Sequence, residues 1–441
     1  MGLMRKVLQV LALFMLAFSF IACKNNRAAS LQIALDIEDE GRYDELFAYF
    51  EAETGIKVKA TYGQDISKLV GTAQEPDIIK TSTVLIEAMQ ASLYDLTEMI
   101  ASDADVSPEL YLDEIIEALM IDGRIYALPT SINTSLLYYN KDLFDASATE
   151  LRAAFGLSEA ESVYPRADWT YDDYQLAGVT LSKYTLNAEL KPVYTQFGAE
   201  TQLTWWGEWL VYVNQMGGSF YEADSANHVT ALTSPAVIAA TTFFRNKSMG
   251  GIDVKFAPDA VEAASSFSFV GGNIAMIFGG HMGDWYSYDA LQLNWDIQSL
   301  PKPVGRPDAP GGEIAADAFG ISVRSAKKTE AFLFLKLLAG EAGALEMYKH
   351  GKVGALKNMQ ALIEALPEAD QKDIDVAALF RAAGEAVTLP REKDFAKVMR
   401  ELVMSELYKL MYSGRGSESD VALVLARIKQ SVDTYYQGLY G

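Results

Sequence analysis

Residues 31–83 alternate between short apolar runs and an amphipathic segment, and this alternation restricts the fold more than any other feature of the chain. Leu31 to Ile37 predicts a strand, after which apolar residues recur at helical spacing up to Gly55. Ile56 to Thr61 predicts a second strand, and residues 75–79 introduce a third. A strand, a helix and a further strand in succession imply parallel pairing with the helix packed across the sheet. The sequence therefore predicts an α/β fold.

Two polar loops follow the carboxyl ends of these strands, which is where open α/β sheets bind their ligands. The first loop comprises residues 38–41 and contains Asp39, and the second comprises Thr81, Ser82 and Thr83. Both loops also have the composition of ordinary helix caps, because hydroxyl and carboxylate groups favour helix N-termini. Asp39 and Ser82 are therefore candidate ligand contacts, and simple capping stays open as the alternative.

The stretch from Asp122 to Phe144 reads as two strands separated by a polar break. The first apolar run ends at Pro129, and the second extends from Leu136 to Tyr139. Between them, residues 130–135 are small and mostly hydroxylated, and they contain no glycine-type hairpin turn. A connection of this kind predicts a chain that crosses from one lobe to another, so that the protein acts as a clamp.

Length and charge restrict the function further. The chain has 441 residues, more than one hydrophobic core usually holds, so two domains or lobes are expected. Its 59 acidic and 37 basic residues give a formal net charge of −22. That charge repels nucleic acid and anionic membrane surfaces. We therefore expect no nucleic-acid partner, and the composition is typical of a soluble secreted protein.

Residues 1–22 predict a lipoprotein signal peptide that precedes the only cysteine of the sequence, Cys23. Arg5 and Lys6 form a basic start, and the apolar run after them is too short for a comfortable membrane span. We expect Cys23 to be acylated and residues 23–30 to tether the protein to a membrane, facing the periplasm or the outer surface. An ordinary secretory signal with an incidental cysteine is the alternative.

Half of the six tryptophans lie between Gln202 and Leu210. If this segment is a helix, Trp205 and Trp209 share one face, whereas Trp206 lies about 100° away. Core packing then explains some of the rings, and we expect at least one to face a cleft or the solvent. A second aromatic loop follows a predicted strand that ends at Phe278, and it carries His281, Asp284 and Trp285.

The motifs that enzyme chemistry requires are mostly missing from the sequence. The cysteine lies in the predicted signal, the three histidines are far apart, and no zinc-protease, nucleophile-elbow or phosphate-loop motif occurs. The stretch from Asp36 opens like a calcium loop, but Phe47 occupies the position that needs a bidentate glutamate. We expect neither a cofactor nor a metal. Paired carboxylates for glycoside hydrolysis stay open as an alternative.

A binding site for a sugar needs flat aromatic faces for the C–H surfaces and polar side chains for the hydroxyl groups. The two polar loops and the tryptophan-containing segments supply both kinds of group. The composition therefore favours a binder of sugars or similar polyols.

The order of motifs resembles the family 1 extracellular solute-binding proteins of ABC importers, the maltodextrin-type group. The motifs that carry the resemblance are EPDII at residues 75–79, LYDLT at residues 93–97, and DGRIYALP followed by LLYYNKDLF within residues 122–144. The resemblance implies a two-lobed periplasmic-binding-protein fold, type II-like, with a ligand cleft between lobes that are each a mostly parallel sheet flanked by helices. It implies lobe I over residues 31–132 and 297–345, lobe II over residues 133–296 and 346–441, and a first crossing at residues 132–135.

The resemblance also implies the positions that contact the ligand, which are Asp39, Ser82, Asn133, Trp205 or Trp206, and the loop with His281, Asp284 and Trp285. Maltodextrin-specific members carry an acid at the position of Asn133 and an aromatic residue near Thr81, so a long α-glucan is not expected here. We expect a monomeric, non-catalytic receptor that passes a sugar or oligosaccharide to a pair of ABC permease subunits. A surface glycosidase, or a receptor for a polyamine or a glycerophosphodiester, is the alternative.

Overall fold

The computed structural model describes residues 30–223, 228–250, 254–265, 267–280, 288, 291–392, 394–412 and 417–440. Within these ranges the chain forms two main sheets with helices packed around them. The strands are β1 Ser30–Leu35, β2 Lys57–Tyr62, β3 Ile78–Ser82, β4 Met120–Ile121, β5 Arg124–Ile125, β6 Ala127–Thr134, β7 Leu136–Asn140, β8 Lys183–Leu186, β9 Pro192–Gln196, β10 Met276–Gly280, β11 Trp295–Gln298, β12 Gly312–Ile321 and β13 Ala386–Thr388.

The helices occupy the segments between these strands. They are α1 Asp44–Thr54, α2 Ile66–Leu69, α3 Ile86–Met89, α4 Thr97–Ala101, α5 Asp113–Ala118, α6 Lys141–Ala146, α7 Ala148–Phe155, α8 Tyr171–Leu181, α9 Gly207–Gln215, α10 Pro235–Met249, α11 Ala260–Ala263, α12 Lys328–Ala339, α13 Glu341–Tyr348, α14 Met359–Glu364, α15 Val376–Glu385, α16 Phe395–Val398, α17 Ser405–Leu410 and α18 Val421–Tyr440. None of them, within the described ranges, combines the length and the apolarity needed to cross a bilayer.

The first sheet has the strand order β13, β12, β3, β1, β2, and β6 also pairs with β12. β1 runs parallel to both β2 and β3, as the alternation in residues 31–83 predicts. Helix α1 crosses between β1 and β2 and ends at Gly55, whose φ of 73° is a left-handed conformation that glycine adopts without strain. The carboxyl ends of β1 and β3 therefore lie at one edge of this sheet.

The second sheet has the order β10, β7, β11, and both neighbours run antiparallel to β7. This pairing differs from the mostly parallel sheet expected in each lobe. The strand and helix alternation that implies parallel pairing occurs only in residues 31–83, so nothing in the sequence around β7 specified the direction of its partners. The two-lobed α/β architecture itself does not depend on that direction.

Strand β6 runs straight through the segment that the sequence presents as a polar break. Residues 130–134 belong to the strand, and residues 131–134 pair with β12, so Pro129 does not end it. Pro129 pairs with Ala318 next to a register shift between Asp317 and Ala318, and proline is tolerated at such irregularities because a ladder hydrogen bond is already lost there. Ser135 is the single residue between β6 of the first sheet and β7 of the second.

Strand β7 contributes to two apolar cores because its side chains alternate between the faces of the sheet. Leu136 and Tyr138 belong to the core that also covers the first sheet. Leu137 and Tyr139 belong to the second core, together with buried residues of α9, α10 and α18. The full burial of Tyr138 and near-full burial of Tyr139 fix the register of this strand.

The lobes change at different residues from those expected. β11 ends at Gln298 and still pairs in the second sheet, so the chain returns to the first sheet only with β12 at Gly312. At the other boundary, Val353 forms a bridge with Ile132 of β6 and β13 pairs with β12, although residues 346–441 were expected in lobe II. Long-range pairing of short strands decides both boundaries, and local sequence patterns do not report it.

Local sequence signals mark several of the helices that follow β7. Thr170 caps α8 through a capping box, in which the Asp173 backbone N–H donates to the Thr170 hydroxyl and the Thr170 backbone N–H donates to the Asp173 carboxylate at 2.8 Å. The apolar residues between Ala331 and Leu338 lie in α12, and Leu425, Ile428 and Val432 recur at helical spacing in α18. These signals are local, because capping and helical periodicity each depend on residues within a single helix.

Candidate functional site

Accessible side chains form a row along β3, β12 and β6 where the chain passes between the two sheets. On β12, Ala315 and Asp317 are partly exposed between buried neighbours. On β6, whose residues are all described, Asn133 alone is partly exposed. Ser82 pairs in register with Asp317, and Asn133 pairs with Ala315, so these side chains share one face of the sheet. We refer to Ser82, Asp317, Ala315 and Asn133 as the cleft row.

A group of opposite charges, the lysine–aspartate cluster, lies at the β3 end of this row. It consists of Lys80, Lys352, Asp36, Asp39 and Asp317. Asp39 is central, since its two carboxylate oxygens lie 3.0 Å from the Lys80 Nζ and 2.9 Å from the Lys352 Nζ. Lys80 and Lys352 also lie 3.8 and 3.5 Å from the carboxylate of Asp317, and Lys80 forms a further ion pair with Asp36.

Two members of the cluster, Asp39 and Lys80, stay ionised at neutral pH. Burial acts to raise the pKa of Asp39, but the adjacent charges of Lys352 and Lys80 outweigh burial and hold that pKa below its usual value. Burial acts to lower the pKa of Lys80, and the carboxylates of Asp317 and Asp39 raise it overall. The side chain of Asp39 has no exposed surface, whereas those of Asp36 and Asp317 are 54% and 38% exposed. The two outer carboxylates are therefore open to the solvent, and Asp39 holds the lysines in place.

A pocket of about 260 Å³ opens beside the cluster. Its wall comes from the carboxyl ends of β1 and β3, the turn before α2 and one residue of β12. The residues around it are Ala34, Leu35, Asp36, Gln64, Asp65, Ile66, Lys80, Thr81, Ser82, Leu85 and Asp317. The pocket thus lies at the strand ends where the sequence places the two polar loops, and its lining is rich in carboxylate, amide and hydroxyl groups that can hydrogen-bond a polyol.

The tryptophans of the second lobe do not share a helical face, because α9 begins only at Gly207. Trp205 and Trp206 precede the helix and pack against each other with ring centroids 4.0 Å apart. Trp206 is 6% exposed and packs edge-on against Phe395, and Trp209 is fully buried with its indole N–H donating to Thr241. Trp205 is partly exposed, and it is therefore the ring of the three that can stack on a ligand.

Trp205 meets the other end of the cleft row at Glu313 of β12. A methyl group added at Gly207 would collide with both the indole nitrogen of Trp205 and a carboxylate oxygen of Glu313, so the backbone approaches these two groups closely and only glycine fits. Glu313 is 2% exposed. Its burial raises the pKa of the carboxyl to about 7, and the hydrogen bond from Trp205 opposes that rise. The row thus runs from the lysine–aspartate cluster to an aromatic ring of the second lobe.

The family model for bacterial extracellular solute-binding proteins matches residues 36–345 of this chain. The chain belongs to this family. Among curated members of similar sequence, the galactooligosaccharide-binding protein of Bacillus subtilis is 24% identical over 356 residues, which is 77% of this chain and 75% of that protein.

Solved structures show the fold of this solute-binding protein. An ABC substrate-binding protein from Listeria monocytogenes, solved in complex with cycloalternan, superposes with a TM-score of 0.71 at 23% identity, over 92% of this chain and 99% of that one. The sugar-binding protein MalE from Xanthomonas citri also gives a TM-score of 0.71, at 16% identity, over 93% and 98% of the two chains. These matches confirm the two-lobed α/β fold that the sequence motifs imply.

The structure brings together four of the eight site residues predicted for this solute-binding protein, namely Asp39, Ser82, Asn133 and Trp205. Ser82 and Asn133 lie in the cleft row, and Asp39 lies directly beneath it, within the lysine–aspartate cluster. Trp205 reaches the row through Glu313, whereas Trp206 lies behind Trp205 in the second core. His281, Asp284 and Trp285 lie outside the described residues, as does Cys23.

Four residues of the lysine–aspartate cluster were missed from the sequence of this solute-binding protein, namely Asp36, Lys80, Asp317 and Lys352. Asp317 had a visible signal, since it is a lone carboxylate in the otherwise apolar run from Ile314 to Ile321. The two lysines had none, because their role depends on distant carboxylates. Within the described ranges, no three His, Cys, Asp or Glu side chains are arranged to hold a metal ion.

Proposed function

We propose that this chain is the membrane-tethered substrate-binding protein of an ABC importer and that it takes a sugar or oligosaccharide into the cleft between its lobes. The observation that carries the proposal is the cleft row, which leads from paired lysines and aspartates to a partly exposed tryptophan. Hydroxyl groups would bond to the polar end, and the apolar face of a sugar ring would stack on Trp205. The name of the Bacillus subtilis relative, a galactooligosaccharide-binding protein, supports the same class of ligand.

Closure of the lobes about the crossing strands would complete the site. Ser135 joins β6 to β7, and its backbone N–H donates to the Glu313 carbonyl at 2.9 Å, so the two crossing strands are bonded to each other at the point of passage. A ligand that contacts both the lysine–aspartate cluster and Trp205 favours the closed arrangement by its differential affinity. The crossing strands thus serve as hinge and cleft floor together.

Two observations favour binding over glycoside hydrolysis, and the first is that Asp36, Asp39 and Asp317, which lie close together, are all paired with lysines. The second is that Glu313 and Asp317 are four residues apart on one strand, which places their backbones about 13 Å apart at the usual rise of about 3.3 Å per residue. Glycosidases need two carboxyl groups within roughly 5 to 10 Å of each other. Asp39 does not favour a polyamine either, because Lys80 and Lys352 already compensate its charge.

The test is calorimetric titration of the purified chain with galactooligosaccharides, maltodextrins, monosaccharides, a polyamine and a glycerophosphodiester, followed by chromatography of the sugars after long incubation. We expect saturable binding of one sugar class with no new products. Binding of the polyamine or the glycerophosphodiester alone would contradict the sugar assignment, and release of shorter sugars would contradict a purely binding role.

The membrane tether is part of the same proposal and rests on residues 1–30. Acylation of Cys23 would hold the receptor beside its permease pair, facing the periplasm or the outer surface. Labelling cells with an alkyne analogue of palmitate tests it, with Cys23→Ala as the matched control. Label on the wild-type chain and none on the variant is the expected result, and equal labelling would contradict it. Light scattering of the purified chain tests the expected monomer.

A further inference from the structure

Residues 200–206, here called the tryptophan segment, lead into α9 and carry Trp205. Their backbone is tied down at several points. The Glu200 N–H donates to the Met276 carbonyl at 2.8 Å, and the Gln202 side-chain amide donates to the Phe278 carbonyl at 3.2 Å. These bonds attach the start of the segment to β10.

An ion pair beneath the segment provides the remaining attachment. Glu208 and Lys247 face each other with no exposed side-chain surface on either. The Glu208 carboxylate accepts the Gln202 backbone N–H at 2.8 Å, and the Lys247 ammonium donates to the Glu200 carbonyl. The two members of the pair are therefore hydrogen-bonded to the two ends of the backbone stretch from Glu200 to Gln202.

The pair lies in an aromatic environment that does not favour charge. Burial raises the pKa of Glu208 and lowers that of Lys247, and each partner opposes the shift of the other. The Tyr212 hydroxyl donates to Glu208 at 2.9 Å. A hydrophobic pair of similar volume would fill this space at least as well, so packing alone does not explain why these charges are here. The hydrogen bonds of Glu208 and Lys247 to the tryptophan segment explain why the charges are present.

We propose that Glu208 and Lys247 are positioning residues that hold the tryptophan segment so that Trp205 presents its ring at the end of the cleft row. The inference rests on the proposed sugar-binding function for its effect on affinity. Its effect on the placement of Trp205 does not depend on that function. Without the pair, the Gln202 backbone N–H and the Glu200 carbonyl lose their partners, and Trp205, three residues further along, keeps only its packing and its hydrogen bond to Glu313.

The test is the double variant Glu208→Leu/Lys247→Met, which removes both charges and keeps apolar volume. We expect it to fold with a melting temperature close to wild type or above it, and to bind the galactooligosaccharide or maltodextrin preferred by the wild type at least 10-fold more weakly. The matched control is Lys429→Met/Asp433→Leu, which removes a surface ion pair of 2.9 Å that also grips backbone, at Thr230. The control should bind as wild type does.

A graded variant separates positioning from general damage. Glu208→Gln/Lys247→Met keeps a side-chain oxygen that can accept the Gln202 N–H, so it should bind more tightly than the Leu/Met variant. If the Leu/Met variant does not fold, this Gln/Met variant takes its place, with at least a 3-fold loss of affinity expected. Wild-type affinity in whichever folded double variant is measured overturns the proposal.

A readout without ligand keeps the inference separate from the proposed function. The chain is labelled with 5-fluorotryptophan, and the Trp205 resonance is assigned by its loss in Trp205→Phe. That resonance should shift or broaden in the Leu/Met variant and stay in place in the control. If the wild type binds no sugar of the panel, the proposed function fails, and this resonance alone decides the positioning role, with an unchanged resonance overturning it.

Discussion

The lysine–aspartate cluster and the Glu208–Lys247 pair contain the same kinds of charge but differ in their access to solvent. In the cluster, the buried Asp39 is surrounded by two lysines, and the outer carboxylates of Asp36 and Asp317 are 54% and 38% exposed. In the pair, neither side chain has exposed surface. The first arrangement can exchange hydrogen bonds with a ligand through its outer members, whereas the second can only hold neighbouring backbone.

The same contrast separates Trp205 from Trp206. One ring is partly exposed beside the cleft row, and the other is 6% exposed in the second core, although they are adjacent in sequence and their centroids lie 4.0 Å apart. Residue type alone therefore does not identify a binding group in this protein. Access decides which member of each set meets the ligand and which supports it.

Removing one partner of the sealed pair should give the largest effect. Lys247→Met leaves Glu208 buried without its cation and should lower the free energy of unfolding by about 3–5 kcal/mol. In the open cluster, Lys80→Met should cost less, since Lys352 still pairs with Asp39 and water reaches Asp317. Urea unfolding at pH 7 measures both. If Lys247→Met and Lys80→Met lowered the free energy of unfolding equally, solvent access would not distinguish the Glu208–Lys247 pair from the lysine–aspartate cluster.

Replacing the two adjacent tryptophans should separate stability from affinity. Trp206→Ala opens a cavity in the second core and should cost about 3–5 kcal/mol of unfolding free energy. Trp205→Ala should cost less stability and should weaken sugar binding by about 1–3 kcal/mol, because it removes the stacking ring. Denaturation and calorimetry on each variant provide the comparison. A Trp205→Ala variant with unchanged affinity would show that this ring does not contact the ligand.

The buried Glu313 gives a prediction that depends on pH. Its pKa is raised from 4.5 to about 7, so below pH 4.5 both folded and unfolded states hold the proton and no penalty exists. Between pH 4.5 and pH 7 only the unfolded state releases the proton. Above pH 7 the buried charge of Glu313 lowers the free energy of unfolding by about 3 kcal/mol, at 1.36 kcal/mol per pKa unit. Glu313→Gln should therefore stabilise the protein by about 3 kcal/mol at pH 8 and by almost nothing at pH 4.5.

Urea unfolding of both chains across that pH range measures the difference. Asp39 should behave with the opposite sign, since its pKa is lowered and its stabilising ion pairs are lost as the pH falls through that lowered value. A stability difference between wild type and Glu313→Gln that does not vary with pH would show that Glu313 does not titrate in this range.

The smallest expected effects distinguish Asn133 from Tyr139. Asn133→Ala removes an accessible amide of the cleft row and should weaken binding by about 0.5–1.5 kcal/mol with little change in stability. Tyr139→Phe removes the hydroxyl that donates to Asp296 at 3.1 Å in the second lobe. It should cost a similar amount of stability and leave affinity unchanged. If both substitutions changed only stability, Asn133 would not belong to the site.

Local patterns predicted the elements of this protein better than their partners. The βαβ unit of residues 31–83 was predicted correctly, since it depends on residues close in sequence. The direction of β10 and β11 against β7, and the placement of β13 in the first sheet, depend on pairing over long distances. No periodicity within those short strands reports such pairing.

The prediction of the site shows the same difference between local sequence patterns and long-range contacts. Ser82 was predicted as a contact because a polar residue at a strand end has a recognisable context, and Asn133 because the family resemblance implied it; both lie in the cleft row. The error over Trp205 and Trp209 arose because the helix was started too early, at the tryptophans instead of at Gly207. The burial of Asp39 between Lys80 and Lys352 brings together positions 39, 80 and 352, and only the folded chain reveals that proximity.

Because Ser135 alone connects β6 to β7, an odd or an even number of residues at this connection decides which face of the sheet each following side chain takes. Strand side chains alternate with a period of two, so the number of residues between Asn133 and Tyr138 determines which face each one takes. An insertion of one residue at Ser135 would exchange the environments of Tyr138 and Tyr139 while leaving Asn133 in the cleft. Relatives with a length change at this crossing are therefore expected to differ by an even number of residues, so that the cleft and both cores stay on their own sides of the chain.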